Sequence, residues 1–146
     1  MKNKTKGIIL GLIVAISLVA MFLNQPIKTK KEIRYNETHK EEDVHMIMDD
    51  AIKSYKNDNS KVYSVYYDEN KSKKMEAEYV KKGSYREVII VYVEFKTSFF
   101  NAPEQLGNNH YYFDYMYIAG KTAEATWEWI DGGYVYSFKK SIGSYF

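Results

Sequence analysis

The stretch Val88-Ile89-Ile90-Val91-Tyr92-Val93, inside the longer run Tyr85 to Thr97, decides the fold. No charged side chain interrupts these six residues, and β-branched types dominate them, which favours a strand. A strand with one wet face alternates apolar and polar positions, whereas one apolar throughout is covered on both faces. The reading is a central strand, with Ile89, Val91, Val93 and Phe95 on one face and Glu94 and Lys96 ending the other. The rest of the chain has to supply its neighbours and its covers.

One cover precedes it. From Val44, the residues Ile47, Met48, Ala51, Ile52 and Tyr55 follow at helical spacing and form one apolar stripe. Thr38 followed by Glu41 reads as a capping box, and Glu41, Glu42 and Asp43 suit the positive end of the helix dipole. A helix is therefore expected from Thr38 to about Lys56, its stripe buried on the sheet. Asn57-Asp58-Asn59-Ser60 ends it in a turn. Lys61 to Tyr67 reads as a strand, and Ser72 to Val80 as a short helix with Met75 and Tyr79 one turn apart and Gly83 as its stop.

The neighbours follow. His110 to Ala119 reads as a strand, with Tyr111, Phe113, Tyr115 and Tyr117 on one face and His110, Tyr112, Asp114, Met116 and Ile118 on the other. Thr122 to Ile130 alternates, with Ala123, Ala125, Trp127 and Trp129 inward. Asp131-Gly132 is the dipeptide of a two-residue hairpin turn, so Tyr134 to Phe138 is expected to return as a last strand, followed by a tail over 139–146. The fold class is α+β: an amphipathic helix packed on a curved antiparallel meander of about five strands.

Ahead of this domain, Gly7 to Leu23 is a run of seventeen uncharged residues preceded by Lys2, Lys4 and Lys6. At ~1.5 Å per residue it reaches ~26 Å as a helix, close to the ~30 Å hydrocarbon core of a bilayer. It reads as an uncleaved transmembrane signal-anchor. A cleaved secretory signal is the alternative, with Leu18-Val19-Ala20 the best available site and a secreted product. The short basic tail 1–6 is expected in the cytoplasm and the domain outside the cell membrane. Residues 24–37, with Pro26 and the basic Lys28, Lys30, Lys31 and Arg34, read as a spacer, and the folded domain as 38–138.

Composition narrows the function. All 19 acidic residues and 18 of the 21 basic ones follow the membrane run, so the formal charge there is −1. Such a balance excludes the basic excess of a nucleic-acid binder. With no cysteine there is no disulfide framework and no thiolate metal site. Aromatic residues are abundant, with 15 Tyr, 7 Phe and 2 Trp.

The order of these features carries a resemblance: anchor, capped helix ending Ala51-Ile52-Lys53-Ser54-Tyr55, apolar strand Val88 to Lys96, then Trp127-Glu128-Trp129-Ile130-Asp131 and Gly133-Tyr134. It resembles the small exported proteins of Firmicutes grouped as domain of unknown function DUF4829, which are similar to the NTF2-like α+β cone. The resemblance covers about Lys40 to Tyr134. It implies a cone-shaped sheet wrapped around a helix and a pocket, and it brings no catalytic residues. NTF2-like cones have more helix before the sheet than this chain offers.

No constellation of catalytic type emerges, and no catalytic, cofactor-binding or metal-ligating residue is assigned. His45 with Glu41 and Asp49 lies on the polar face of its helix, where a solvated charged surface is the expectation rather than a metal site. His39 and His110 have no spacing signature. Asp114 stands in an aromatic strand: inside a cavity it could act as an acid or base, and facing outward it would pair with a Lys or Thr nearby. Trp127 and Trp129 read as core. The connection Ser98 to Asn109 is longer than the usual ~2–5-residue hairpin loop and carries Phe99-Phe100. These two either fold back over the open end of the sheet, which is the expectation, or offer a contact to a partner or lipid. Phe99, Phe100 and Asp114 are thus the candidate contact residues of a membrane-held binding or accessory module. The alternative is a small NTF2-like enzyme with a buried carboxylate in a cone-shaped pocket.

Overall fold

The computed structural model describes residues 2–23, 27–83 and 85–134. In chain order its elements are α1 (Lys2–Leu23), β1 (Lys30–Tyr35), α2 (Glu41–Asn57), β2 (Lys61–Asp68), α3 (Glu69–Lys82), β3 (Glu87–Lys96), β4 (Tyr111–Lys121) and β5 (Trp127–Gly133). The five strands form one mixed sheet in the order β1-β2-β3-β4-β5. β1 runs parallel to β2 and the other neighbours are antiparallel. The fold is α+β.

The central strand behaves as its composition requires. Val88 to Val93 are buried without exception. Ile89, Val91, Val93 and Phe95 share a core with Val44, Ile47, Met48, Ala51 and Tyr55 of α2. Val88, Ile90 and Tyr92 point the other way, into a second core with Tyr66, Met116 and Ile118, which Met75 and Tyr79 of α3 cover. The sheet is thus enclosed by α2 on one face and α3 on the other, rather than by a single helix.

Four expectations change. Lys30–Tyr35 is an edge strand inside the expected spacer 24–37. Only Ile33 reaches the α2-side core, and the charged remainder blunts the exposed edge. Parallel pairing with β2 needs a crossover, which α2 provides. The helix α2 begins at Glu41 with Lys40 as its N-cap and no side-chain cap; Thr38 bonds to Glu69 instead of to its own helix. Asp131-Gly132 lies within β5, and the chain reverses at Thr122–Thr126, where Thr126 O accepts from Thr122 N and Ala125 takes φ 64°. Ala123 and Ala125 are exposed there, Trp127 packs on the core and Trp129 is exposed. The expected strand over Tyr134 to Phe138 and the tail 139–146 lie outside the described residues, apart from Tyr134, which is not in a strand.

The alternation expected in β4 also breaks. Tyr112 pairs with Phe95 and Tyr115 with Val93, so Phe113 and Asp114 together oppose Glu94. Asp114 takes φ 53°, a left-handed conformation that Asp tolerates better than most residues. This bulge turns Tyr112, Tyr115 and Tyr117 toward α2, and Asp114, Met116 and Ile118 toward the other face. β2 carries its own irregularity between Val62 and Ser64, at the same level of the sheet. Paired bulges of this kind bend a sheet.

All described side chains of α1, namely 8–9 and 11–19, are exposed. Among the described residues, no helix is long and apolar enough to cross a membrane.

Candidate functional site

The ladder between β2 and β3 stops at Tyr66–Tyr92, because the chain turns away into α3. Beyond that point Ile90 N–H has no strand partner on its β2 side. A buried donor left alone costs about 1–3 kcal/mol. Glu76, one turn after Ser72 on the inner side of α3, supplies the acceptor: its Oε1 takes the Ile90 N–H at 3.0 Å. Its other oxygen, Oε2, lies 3.2 Å from His39 Nε2 and accepts from Tyr67 Oη at 3.5 Å.

His39 is delivered by a tight turn. Asn36 accepts from His39 N at 3.0 Å and donates to His39 O at 2.9 Å. The imidazole is 6% exposed and stands edge-on to Tyr67. Its Nδ1 is 2.6 Å from Glu87 Oε1. A neutral ring donates from one nitrogen only, so two flanking carboxylates favour imidazolium. Burial works against the charge, but the bonds to Glu76 and Glu87 outweigh it and the pKa is raised. Glu87 also lies 3.5 Å from Lys121 Nζ, which pairs with Asp43 of α2 at 3.0 Å.

Glu69 completes this end of the molecule. It is 1% exposed, and its carboxylate accepts from Glu37 N at 2.5 Å, Thr38 N at 3.0 Å and Thr38 Oγ1, with Lys73 at 3.3 Å. Bonds from Thr38 and Glu37 hold its pKa down at about 2.

Against this polar wall opens a cavity of about 390 Å³ between α3, the turn at Thr38–His39 and the start of β3. Ala77, Val80 and Val88 line its apolar side, and Lys73, Lys81 and Arg86 its basic side. Its volume falls within the ~300–1,000 Å³ of small-molecule pockets. The carboxylates of its wall are satisfied internally: Glu69 by the turn, Glu76 by Ile90 and His39, Glu87 by His39 and Lys121. Lys81 and Arg86 have no carboxylate partner among the described residues.

The residues singled out from the sequence lie elsewhere. Asp114 is half exposed on the α3 side of the sheet, where it accepts from Tyr66 Oη and pairs with Lys71 at 2.9 Å. Burial would raise its pKa, but these donors outweigh it and the pKa is lowered. Lys71 also lies over the Tyr92 ring, and the Arg34 guanidinium over Tyr66. Asp114 is therefore an outward, paired carboxylate that holds the bulge, not a buried acid. His45 lies 3.5 Å from Glu41, while Asp49 is taken by Lys31 at 2.8 Å. Among the described residues no group of three His, Asp or Glu could hold a metal ion.

Phe99 and Phe100 do not fold back. They are 62% and 74% exposed and stack edge-to-face on each other. Leu106 fills the place expected for them by packing on the α2-side core. Gly107 N bonds to Tyr112 Oη, and Thr97 Oγ1 accepts from His110 N and donates to Gly107 O. The loop is thus pinned at its base, with the phenylalanine pair held outward.

Sequence reasoning missed His39, Glu69, Glu76 and Glu87. One signal was available: Glu69, Ser72 and Glu76 repeat at helical spacing, and α3 buries that line. Comparison of the chain with protein-family models, with curated proteins and with solved structures finds no match.

Proposed function

We propose that this chain is a membrane-held, extracytoplasmic binding module whose ligand is a small amphiphile with one anionic group, taken by the cavity between α3 and β3. Gly7 to Leu23 serves as its single-pass anchor, with secretion after cleavage as the alternative. The observation that carries the reading is the state of the cavity wall. Every carboxylate there is spent on an internal donor, while Lys81 and Arg86 are left to meet an anion beside the apolar Ala77, Val80 and Val88. Such a site can bind and orient; its one hydroxyl, Thr38 Oγ1, donates to Glu69, a carboxylate whose lowered pKa makes it a poor base. The anchor reading is supported by the uncharged run after three lysines and by the exposed apolar side chains of α1.

The test is a titration of the full chain in lipid nanodiscs with decanoate, followed by methyl NMR. Saturable shifts are expected at Ala77, Val80 and Val88 and not at Val62 in the opposite core. Ala77→Trp should abolish them by filling the cavity, and Arg86→Gln should weaken binding roughly tenfold, the size of one lost charge-assisted bond of about 1.5 kcal/mol. Unchanged methyl signals at saturating decanoate would remove this reading.

One observation favours a second reading, a small enzyme of the NTF2-like cone: His39 and Glu76 form an acid–base pair within hydrogen-bond reach at the cavity wall. In that reading the working carboxylate is Glu76 or Glu87 rather than Asp114. Relationship to the DUF4829-type proteins belongs with it, supported by the order of elements and by the bent sheet. A Glu76→Gln variant that binds decanoate as the parent does, yet loses turnover of a candidate substrate, would favour it.

A further inference from the structure

The topology places the exposed phenylalanine pair at one particular end of the sheet. Lys30 opens β1 beside Ser64 of β2, and Thr29 Oγ1 donates to Val62 O at 2.9 Å. Lys61 at the start of β2 pairs with Lys96 at the end of β3, and Lys96 pairs with Tyr111 at the start of β4. The chain coming from α1 therefore enters the sheet at the end from which the loop 97–110 projects. The cavity and the His39 cluster lie at the other end, with Glu87 and Lys121.

Six residues separate Leu23 from Lys30. Fully extended, that connection spans at most about 25 Å. If α1 is inserted in a bilayer, this end of the sheet is held near the headgroups whatever the angle of the domain. It carries exposed Phe99, Phe100, Tyr111 and Phe113, with Lys61 and Lys96 in register beside Tyr111 and Lys28 and Lys30 in the incoming chain; the acidic residues nearby in the chain are Glu32, paired with Lys30, Asp58, Glu94, Glu104 and Asp114, paired with Lys71. Tyr111 stacks on Tyr63, and Lys96 lies over the Tyr111 ring. Exposed aromatic side chains with lysines beside them match the boundary between acyl chains and headgroups.

We infer that the Phe99–Phe100 tip beds into the outer leaflet of the membrane that α1 enters, making a second contact that sets the domain upright with its cavity facing away from the bilayer. The inference rests on the anchor reading above. The pinned base of the loop, through Leu106, Gly107 and Thr97, pre-organises the tip so that little loop ordering opposes insertion.

The chain has no cysteine, so single-cysteine variants give unique probes. Phe100→Cys, Glu124→Cys in the turn at the far end, and Val14→Cys within α1 are each labelled with a nitroxide in the full chain. Each is placed in nanodiscs of phosphatidylglycerol and phosphatidylethanolamine, and collision with oxygen and with a water-soluble nickel chelate is measured. Phe100 is a solvent-exposed tip, and tryptophan emission checks that each variant is folded. The expected result is a label at 100 several-fold more accessible to oxygen than to the chelate, like that at 14, and the reverse at 124. A label at 100 open to the chelate while that at 14 is shielded overturns the inference and leaves the anchor standing. A label at 100 shielded from both reagents means that protein covers the tip, which also overturns it. A label at 14 open to the chelate overturns both readings together.

Discussion

Glu69 offers the sharpest test of how the cavity end is built. Its carboxylate holds two backbone N–H groups and one hydroxyl of the turn carrying His39, and almost none of it reaches solvent. Each bond to a charged acceptor is worth about 1.5–3 kcal/mol, reduced where water can replace it. Glu37 and Thr38 are exposed enough for partial replacement, and removing the buried charge returns some desolvation. The net cost of Glu69→Ala is therefore about 2–4 kcal/mol. Glu69→Gln keeps one carbonyl acceptor, and the partner it loses, Lys73, is itself exposed and returns to water, so its cost is about 1–2 kcal/mol. The assay is urea unfolding of the full chain in mild detergent, followed by tryptophan emission. The pH dependence has a definite sign. The folded pKa is about 2, below the ordinary value of 4.5. This contribution is present above 4.5 and lost as pH falls toward 2. The gap between parent and Glu69→Gln should shrink over that window, while Asp114, present in both, cancels. A gap that stays constant from pH 5 to pH 2, or a loss under about 1 kcal/mol in Glu69→Ala, would mean that Glu69 does not hold the turn.

Other expectations follow from single contacts. His39 titrates above its ordinary 6.5, so its contribution to stability is whole below that value and is lost as pH rises through the raised pKa; two-dimensional NMR of the ring reads this directly, and a midpoint below 6.5 would contradict it. Asp114→Val forces a β-branched residue into φ 53° and removes the bonds to Tyr66 and Lys71, costing about 2–4 kcal/mol, whereas Asp114→Asn should cost under half of that; equal urea midpoints would count against the bulge argument. Gly120 lies under the Tyr85 ring, where an added Cβ would fall 2.5 Å from Cδ1. Gly120→Ala should therefore displace that ring, break its bond to Glu128 and cost about 1–3 kcal/mol by thermal unfolding.

What the sequence made legible was the apolar frame. The stripe from Val44 to Tyr55 and the run Val88 to Val93 each have one burial solution, and both adopt it. Polar elements were opaque for the same reason. β1 has a single aliphatic residue, so its pairing depends on backbone bonds to β2 that no side-chain pattern announces. The bulge at Asp114 reverses the faces of β4 through one left-handed residue, and a one-residue slip moves every side chain across a sheet. Asp131-Gly132 has the chemistry of a turn but sits in a ladder, because the chain has already reversed at Thr122–Thr126. His39 and Glu87 meet Glu69 and Glu76 only after α3 has crossed the sheet, so the one trace of the cluster along the chain is the helical spacing of Glu69, Ser72 and Glu76. Phe99 and Phe100 were visible as an oddity, but Leu106 as the residue that closes the sheet end was not.

Thiol labelling on intact cells is the direct test of the proposed placement, in which one domain is held outside the membrane by Gly7 to Leu23. With Glu124→Cys the expected result is reaction with a membrane-impermeant maleimide on intact cells, and with Lys4→Cys reaction only after the membrane is opened, both proteins pelleting with the membranes. Labelling in the reverse order, or recovery of the chain in the soluble fraction, would contradict it.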